Sequence, residues 1–374
     1  MNFKISKKKF YDALQIVSYV IAPNSPLPSL SCILVKVEND KITLTASDNN
    51  ISIQRILTNE TDENLNLTVI EEGSITMDAR YLLEIVRKID SDTISIEIID
   101  GALTRFSGTL TEFKINGMRS SDYPKIDFSV PADSFALPAA DLLTLIEQTS
   151  FAVSVKETRP VLTGVNFKMK GNTLECTATD SYRLAKKTIQ LSQEASFCIT
   201  IPAKTLKILS SIIFNEEEVC ISISQKKVQF RFDHTVLQSS LLEGEYPETE
   251  RLIPASFAYS LTLDREDLIN AIDRTSFIKN DNMTIIRLQC SSDEIVMMNK
   301  SQEIGESREI LHADKYEGEP LDISFSGKYV SEAAKVLKGQ SIKIEFTGEM
   351  KPFVLKNTMD ETILQLVLPV RTYN

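Results

Sequence analysis

The sequence predicts an α+β protein made of three copies of one domain, each with two helices packed on antiparallel sheets. The first observation is a helix-end segment that occurs three times. It reads "LQIVSYVI" at 14–21, "IEQTSFAV" at 146–153 and "IDRTSFIK" at 272–279. The second is that strand-like stretches with alternating apolar residues follow every copy. A long internal period of this kind indicates a repeated architecture and overrides a single-domain interpretation.

The first helix of each repeat is defined by an apolar residue near its start and a serine–aromatic pair at its end. Aligning the copies places Phe10, Leu142 and Leu268 at one helical position. The pairs at the helix ends are Ser18–Tyr19, Ser150–Phe151 and Ser276–Phe277. Three matching helices at long, nearly equal intervals support the triplication.

A second helix is predicted in each repeat from an apolar stripe. Leu82, Ile85, Val86 and Ile89 have the i, i+3, i+4, i+7 spacing that places side chains on one helix face. The same spacing recurs at equal intervals in the two later repeats, with Leu206, Leu209, Ser210 and Ile213, then Val330, Ala333, Ala334 and Leu337. Such equal spacing is hard to reach by chance.

Strands are predicted from alternation with a period of two. In "KITLTAS" the residues Ile42, Leu44 and Ala46 share one face, and "LECTA" repeats the pattern in the second copy. Further alternating stretches follow the second helices, namely "DTISIEII", "EVCISIS" and "SIKIEF". Mostly antiparallel sheet is therefore expected in every repeat.

The repeats are bounded by related tails. Tyr123–Pro124 and Tyr246–Pro247 lie in equivalent positions near the ends of the first two copies. We therefore expect domain boundaries in "SVPADS" and "IPASF". This gives domains at 1–130, 131–255 and 256–374.

Composition indicates an ordinary globular protein of 374 residues, with 42% hydrophobic and 25% charged residues. No run approaches the roughly 18 apolar residues of a membrane helix. The N-terminus lacks a secretory apolar run, so a cytoplasmic protein without membrane contact is expected. The five cysteines are widely spaced in apolar stretches, which predicts reduced, buried thiols. The net charge of -11 argues by itself against nucleic-acid binding.

Motifs for catalysis are missing from the sequence. There is no phosphate loop, no dinucleotide fingerprint and no zinc-protease motif. The only histidines, His234 and His312, fall in different repeats, so neither a metal site nor a cofactor is expected. Asp48 and Asp180 occupy the same place in two repeats and fit turn residues that close a strand. The competing interpretation is a pair of carboxylates in a metal-dependent enzyme acting on nucleotides or DNA ends.

Basic residues cluster on the predicted helices. Arg80, Lys204 and Lys328 recur at equal intervals at the start of the second helix of each repeat. Solvated helix faces carry lysines in any case, so these residues have a purely structural interpretation as well. Repetition in register favours a shared role, such as weak and sequence-independent contact with a polyanion.

Four stretches identify a resemblance. With "LTASDNN", "TATDSYRLA", "YPETERLIP" and "LPVRTYN", the whole chain resembles the bacterial DNA polymerase III β subunits, which are sliding clamps. The resemblance implies clamp-type domains and two subunits closing head-to-tail into a six-domain ring around double-stranded DNA. Helices would line the hole and sheets would form the outer wall. An acidic outer surface with basic lumen helices removes the objection from net charge.

The resemblance also implies a pocket for short linear peptides of the DNA polymerase III α subunit, the clamp loader and repair proteins. Apolar side chains would form the cleft, with Arg or Thr at its rim. The implied pocket residues are Leu162, Thr179, Tyr182, Arg183, Leu184, Pro247, Arg251, Leu252, Met350, Pro352, Leu366, Leu368, Pro369, Val370 and Arg371. Without the resemblance, "TDSYRLA" would be interpreted as a strand end with a salt-bridged arginine.

Two further sites follow from the resemblance. The DNA-facing residues of the lumen would be Arg80, Lys156, Arg159, Lys204, Lys207, Lys328 and Lys335. The joint of the homodimer would set an edge strand with Phe113 and Ile115 against the segment with Glu303 and Glu306. The expected function is that of a processivity factor without catalysis. The alternative is a clamp-like scaffold that binds peptides but never closes on DNA.

Two positions depart from the family pattern. Tyr182 stands where many members have histidine, which predicts a bulkier pocket wall. Asn24 stands where many have a basic residue, so a loop contact to DNA is weakened and Lys156 and Arg159 are the basic candidates that remain.

Overall fold

The structure is a computed structural model that describes residues 1–22, 27–131, 133–156, 158–214, 217–278 and 284–371. The departure at Asn24 therefore lies outside the described residues. So does the end of the C-terminal motif, at 372–374.

The helices of the described residues occur as two in each repeat, as predicted. They are α1 (Lys7–Ser18), α2 (Ala79–Lys88), α3 (Ala139–Thr149), α4 (Ala203–Ile212), α5 (Arg265–Thr275) and α6 (Gly327–Val336). The aligned residues Phe10, Leu142 and Leu268 are all buried, which confirms the register of the first helices. Asp78 caps α2 by accepting hydrogen bonds from the backbone N–H groups of Arg80 and Tyr81.

Strands fill most of the remaining chain. The first repeat contributes β1 (Asn2–Ser6), β2 (Cys32–Glu38), β3 (Lys41–Ser47), β4 (Ile51–Thr58), β5 (Thr68–Glu71), β6 (Gly73–Asp78), β7 (Thr93–Asp100), β8 (Leu103–Ser107) and β9 (Glu112–Asn116). The second contributes β10 (Asp133–Pro138), β11 (Gly164–Thr179), β12 (Arg183–Pro202), β13 (Glu218–Ile223), β14 (Lys227–Phe232) and β15 (Thr235–Ser240). The third contributes β16 (Tyr259–Asp264), β17 (Ile285–Cys290), β18 (Ile295–Ser301), β19 (Gly305–Leu311), β20 (Lys315–Glu317), β21 (Leu321–Ser326), β22 (Ser341–Phe346), β23 (Phe353–Asn357) and β24 (Ile363–Val367).

The chain divides into two compact units. The first comprises Met1–Ala139 with Lys207–Leu241, and it contains the sheets β5-β1-β7-β8-β9 and β10-β13-β14-β15-β4-β3-β2-β6. The second comprises Ala140–Leu206 and the chain from Leu242 onward, with the sheets β11-β12-β24-β23-β22-β16-β20 and β19-β18-β17-β21. The neighbouring strands pair antiparallel, as the alternation predicted.

Two sheets run from one repeat into the next. Strand β15 of the second repeat pairs with β4 of the first, with Leu237 opposite Ile53. Strand β24 of the third repeat pairs with β12 of the second, with Leu366 opposite Leu184. The two compact units therefore each combine strands of neighbouring repeats. The boundaries at 130 and 255 stay a prediction.

Each unit has its own apolar core, built from the predicted stripes. In the first unit, Phe3 and Phe10 pack edge to face with ring centroids 6.0 Å apart. In the second, Phe353 lies 5.5 Å from Phe325 and 5.3 Å from Phe346, measured between ring centroids. The stripe residues Leu82 and Val86 lie in these cores, as do Leu206, Val330 and Ala334 of the later repeats. Ser210, the equivalent of Val86 in the second repeat, is only partly buried. The helices are held to the sheets by this burial of apolar area.

The expectation of buried cysteines is confirmed at three of the five positions. All five thiols are free, and Cys32, Cys176 and Cys290 are buried. Cys220 is partly buried, whereas Cys198 is exposed. Cys198 follows the exposed residues Glu194 and Ser196 at intervals of two along β12, so it lies on their solvent-facing side. Burial raises the pKa of the Cys290 thiol to about 12, which keeps it protonated.

Within the described ranges, no helix is both long and apolar enough to cross a membrane. In the same ranges, no group of three or more His, Cys, Asp or Glu side chains is placed to hold a metal ion.

Candidate functional site

The turn between β11 and β12 is organised by Asp180. Its Oδ1 accepts hydrogen bonds from the backbone N–H groups of Tyr182 at 2.9 Å and Arg183 at 3.0 Å. Asp48 makes the equivalent turn in the first repeat, where its Oδ1 accepts from the N–H groups of Asn50 and Ile51. The prediction that both aspartates are turn residues is therefore confirmed.

Arg183, which follows this turn, is buried and fully engaged. Its Nε donates to Asp180 Oδ2 at 3.1 Å, and a terminal nitrogen donates to the carbonyl of Phe151 at 2.6 Å. The other terminal nitrogen pairs with the Glu332 carboxylate on α6. The guanidinium also lies over the Tyr329 ring, 4.6 Å from its centroid. The interpretation as a salt-bridged arginine is confirmed, because the cation joins β12, α6 and the end of α3.

Thr179 is likewise buried beneath the surface instead of at an exposed rim. Its hydroxyl donates to the carbonyl of Arg183 at 2.6 Å and accepts from the backbone N–H of Ser181. Its own N–H donates to the hydroxyl oxygen of Tyr246 at 3.0 Å. Burial raises the pKa of the Tyr246 hydroxyl, so that group stays protonated. Thr179 and Arg183 therefore stabilise the turn beneath the site and do not form an exposed rim.

An apolar surface lies beside this network, and we call it the Leu184 cluster. Its buried members are Leu184, Val354 and Leu366, on the neighbouring strands β12, β23 and β24. The partly buried side chains packed against them are Ile253, Phe257, Leu364 and Leu368. The structure thus brings together three predicted pocket residues, namely Leu184, Leu366 and Leu368.

The sequence analysis missed the other members of the Leu184 cluster. The apolar run in "FVLKN" is consistent with a strand, yet nothing local indicates that β23 pairs with β24 and brings Val354 to the cluster. Phe257 lies in the segment between two repeats, where no periodicity is present. Its ring is covered by the Lys356 ammonium, 4.8 Å from the ring centroid.

The C-terminal segment after β24 is fixed by backbone hydrogen bonds. The N–H of Leu368 donates to the carbonyl of Tyr182 at 2.9 Å. The N–H of Val370 donates to the carbonyl of Ser324 at 2.7 Å. The half-buried side chains of Leu368, Pro369 and Val370 are therefore held at fixed positions in the second unit.

The remaining predicted pocket residues differ in exposure. Leu162 is buried and Pro352 is half-buried. Tyr182, Leu252 and Met350 each expose half or more of their surface. The last three, Pro247, Arg251 and Arg371, are exposed.

Pro247 and Arg251 line a polar cavity of about 330 Å³. Its walls also include Lys168, Glu175 and Cys198, and its described lining contains no member of the Leu184 cluster. The structure therefore assigns these two predicted pocket residues to a polar lining.

The predicted DNA-facing residues are all exposed. Arg80 lies in the first turn of α2, while Lys204 and Lys207 lie on α4 and Lys328 and Lys335 lie on α6. Lys156 and Arg159 lie in the segment between α3 and β11. Arg80, Lys204 and Lys328 thus hold equivalent positions at the starts of the three second helices.

Acidic side chains nearby neutralise part of this positive charge. Lys328 Nζ lies 4.0 Å from a carboxylate oxygen of Glu332. On α2, Glu84 pairs with Arg87 at 2.8 Å and with Lys88 at 3.1 Å. These exposed pairs are weak and screened by salt. The helix faces therefore keep a modest positive charge.

The predicted joint residues lie on or beside two sheet edges. Phe113 and Ile115 alternate with exposed residues on β9, the last strand of the sheet β5-β1-β7-β8-β9. Glu306 lies on β19, an outer strand of the sheet β19-β18-β17-β21, and Glu303 lies in the turn before it. Within the described chain, each of these strands has a paired neighbour on one side only, which leaves backbone N–H and C=O groups available for another strand.

Comparisons with known proteins give one consistent family. The N-terminal, central and C-terminal domains of the DNA polymerase III beta subunit match residues 1–127, 136–248 and 250–371. The chain is 38% identical over 378 residues to the beta sliding clamp of Bacillus subtilis and 34% identical over 376 residues to that of Staphylococcus epidermidis, each match covering 100% of both chains. It also matches the crystal structure of the Bacillus subtilis DNA polymerase sliding clamp with a TM-score of 0.96 and 37% identity, covering 100% of both chains.

The Arg183 network predicts a specific stability effect. Replacing Arg183 with alanine leaves the buried Asp180 carboxylate without its cation and Glu332 with only the exposed Lys328, so we expect the free energy of unfolding to fall by about 3 kcal/mol. Arg251→Ala is the control, because the Arg251 side chain is 85% exposed and pairs with Glu248, which is exposed as well. That change should stay within about 0.5 kcal/mol. Urea denaturation measures both, and equal stability of the two variants would contradict the account.

Proposed function

Because the chain belongs to the DNA polymerase III beta subunit family of sliding clamps, we propose that two copies close into a ring that encircles double-stranded DNA. The ring would tether the replicative polymerase and so confer processivity in the bacterial cytoplasm. The protein acts by holding its partners and catalyses no reaction. One observation carries the proposal, namely the pattern of strand pairing between repeats.

The pairing pattern leaves two edge strands of one subunit, β9 and β19, that could pair with each other between two copies. The last strand of the second repeat, β15, pairs with β4, and the last strand of the third, β24, pairs with β12. By the same rule β9, the last strand of the first repeat, would pair with β19 of the third. Applied between two copies, the rule joins one copy's β9 to the other's β19 at both junctions. A head-to-tail contact that closes after two copies gives a ring, whereas one that does not close gives a filament.

The basic helix residues fit the inside of such a ring. The chain as a whole has a formal charge of -11, so its surface repels DNA except where local positive charge is concentrated. Arg80, Lys204 and Lys328 are exposed at equivalent helix starts. Phosphate contacts position a protein without reading sequence, and a few weak ones permit sliding. Residence on DNA would come from encirclement, so strong contacts are unnecessary.

The Leu184 cluster fits the docking of short peptides. Its partly buried leucines offer apolar area for one or two peptide side chains. We propose that the exposed residues Leu252 and Met350, which the family resemblance implies, extend this area. Strand β24 already has neighbours on both sides, so a peptide would bind through side chains and not as an added strand. We propose the DNA polymerase III α subunit, the clamp loader and repair proteins as carriers of such peptides. Tyr182 would form an aromatic wall in place of an imidazole.

The ring joint gives the first prediction. Introducing Phe113→Glu and Ile115→Glu together should convert a dimer into monomers, because a strand joint cannot bury two new carboxylates unpaired. Ile70→Glu is the control, because Ile70 is exposed on β5, at the opposite edge of the same sheet. Light scattering after size-exclusion chromatography measures the mass. A wild-type protein that is monomeric at micromolar concentration would favour the peptide-binding scaffold that does not close on DNA.

The basic helix starts give the second prediction. Changing Arg80, Lys204 and Lys328 to glutamate should shorten the products of processive primer extension. The logarithmic salt dependence of DNA binding should become shallower by about 0.9 per lost phosphate contact. The control changes Lys170, Lys226 and Lys351 to glutamate, since these exposed lysines lie outside the helices. If the two triple variants had equal effects, the proposal that Arg80, Lys204 and Lys328 face DNA inside the ring would be rejected.

The proposed peptide site at the Leu184 cluster gives the third prediction. Leu252→Ala and Met350→Ala should each weaken binding of a clamp-binding peptide from a polymerase III α subunit roughly fivefold or more, since anchor residues exceed about 1 kcal/mol. Leu110→Ala is the control, because Leu110 is 91% exposed in the turn between β8 and β9. Fluorescence anisotropy of a labelled peptide measures the affinity. Unchanged affinity in both groove variants would remove these residues from the site.

A further inference from the structure

A second cavity lies on the helix side of the first unit, apart from the Leu184 cluster. It has a volume of about 470 Å³, within the usual range of small-molecule pockets. Its walls come from α1, from Leu83 on α2, from Arg55 on β4 and from Phe214 just after α4. It includes none of the residues implied by the family resemblance.

The walls of this cavity are rich in aromatic rings. Tyr11, Tyr19 and Phe214 all line it, beside the aliphatic side chains of Ile16 and Leu83. Tyr19 is 49% exposed and Phe214 is 65% exposed, so both rings present area to whatever enters. Exposed rings of this kind are the means by which proteins hold unstacked bases of single-stranded nucleic acid.

Polar groups at the same cavity can meet the edge of a base. Asp12 and Gln15 on α1 contribute a carboxylate and an amide. The Arg55 guanidinium is anchored by Asp233, whose Oδ2 accepts from one terminal nitrogen at 2.8 Å, and by the Thr235 hydroxyl at 2.5 Å. Held by Asp233 and Thr235, Arg55 keeps a fixed cation in the wall of the cavity.

We propose that this cavity binds an unpaired nucleobase of single-stranded DNA. The aromatic walls would stack on the base, while Asp12, Gln15 and Arg55 would meet its donors and acceptors. A phosphate group is a poor occupant, because the Asp12 carboxylate would repel it. The inference deepens the proposed function and rests on it, since the second helices carry the proposed DNA contacts and one of them, α2, forms part of the wall.

The test measures binding of a fluorescein-labelled oligonucleotide of about ten nucleotides to the full chain by anisotropy. Tyr19→Ala and Phe214→Ala should each weaken binding roughly fivefold or more, the loss that accompanies one unstacked base. Tyr19→Phe keeps the ring and should bind as the wild type does. Phe277→Ala is the matched control, because Phe277 lies just after α5 as Tyr19 lies just after α1, and Phe277 is 67% exposed outside the cavity.

The outcomes separate this inference from the clamp proposal. Selective weakening in the Tyr19→Ala and Phe214→Ala variants, with Tyr19→Phe unaffected, supports a base-binding cavity. No single-strand binding, or the same loss in Phe277→Ala, overturns it. A protein that passes the processivity test but fails this one keeps the clamp function and loses only the base site.

Discussion

Antiparallel pairing between the last strand of one repeat and an outer strand of the preceding one is the interaction on which the rest of the molecule depends. It is made twice inside the chain, by β15 with β4 and by β24 with β12. Backbone hydrogen bonds make this joint, so the same joint can be made between repeats of different sequence. Among the edge strands of the four sheets, β9 and β19 hold the positions that this rule leaves unpaired within one chain.

The second of these joints also builds the candidate peptide groove. Leu184 on β12 lies opposite Leu366 on β24, and both are buried with Val354 on β23. Arg183 then ties the start of β12 to Glu332 on α6 through a buried ion pair. Because α6 also carries Lys328 and Lys335, one helix connects the groove wall to the basic face. In the second unit, α6 thus carries basic residues and is also tied, through Arg183, to the strand that holds Leu184.

Much of the fold could be predicted from the periodicity of apolar side chains in the sequence. Phe10, Leu142 and Leu268 are buried at equivalent helix positions of the three repeats, and the strand "KITLTAS" begins and ends where alternation does. Joints between repeats left no such signal, because backbone pairing over long sequence separation has no side-chain signature. Exposure also escaped prediction, since Cys198 lies in an apolar stretch yet faces solvent, and Arg183 is buried by partners distant in sequence. For these residues, tertiary contact decides the environment.

Topological linkage to DNA is the central claim, and retention on circular DNA tests it most directly. The labelled protein, assembled with a bacterial clamp loader on a nicked circular plasmid, is separated from free protein by gel filtration before and after one restriction cut. A ring predicts co-elution with the circle and release once the DNA is linear, because sliding then reaches an end. Equal retention on circular and linear DNA, or no retention on either, would contradict encirclement.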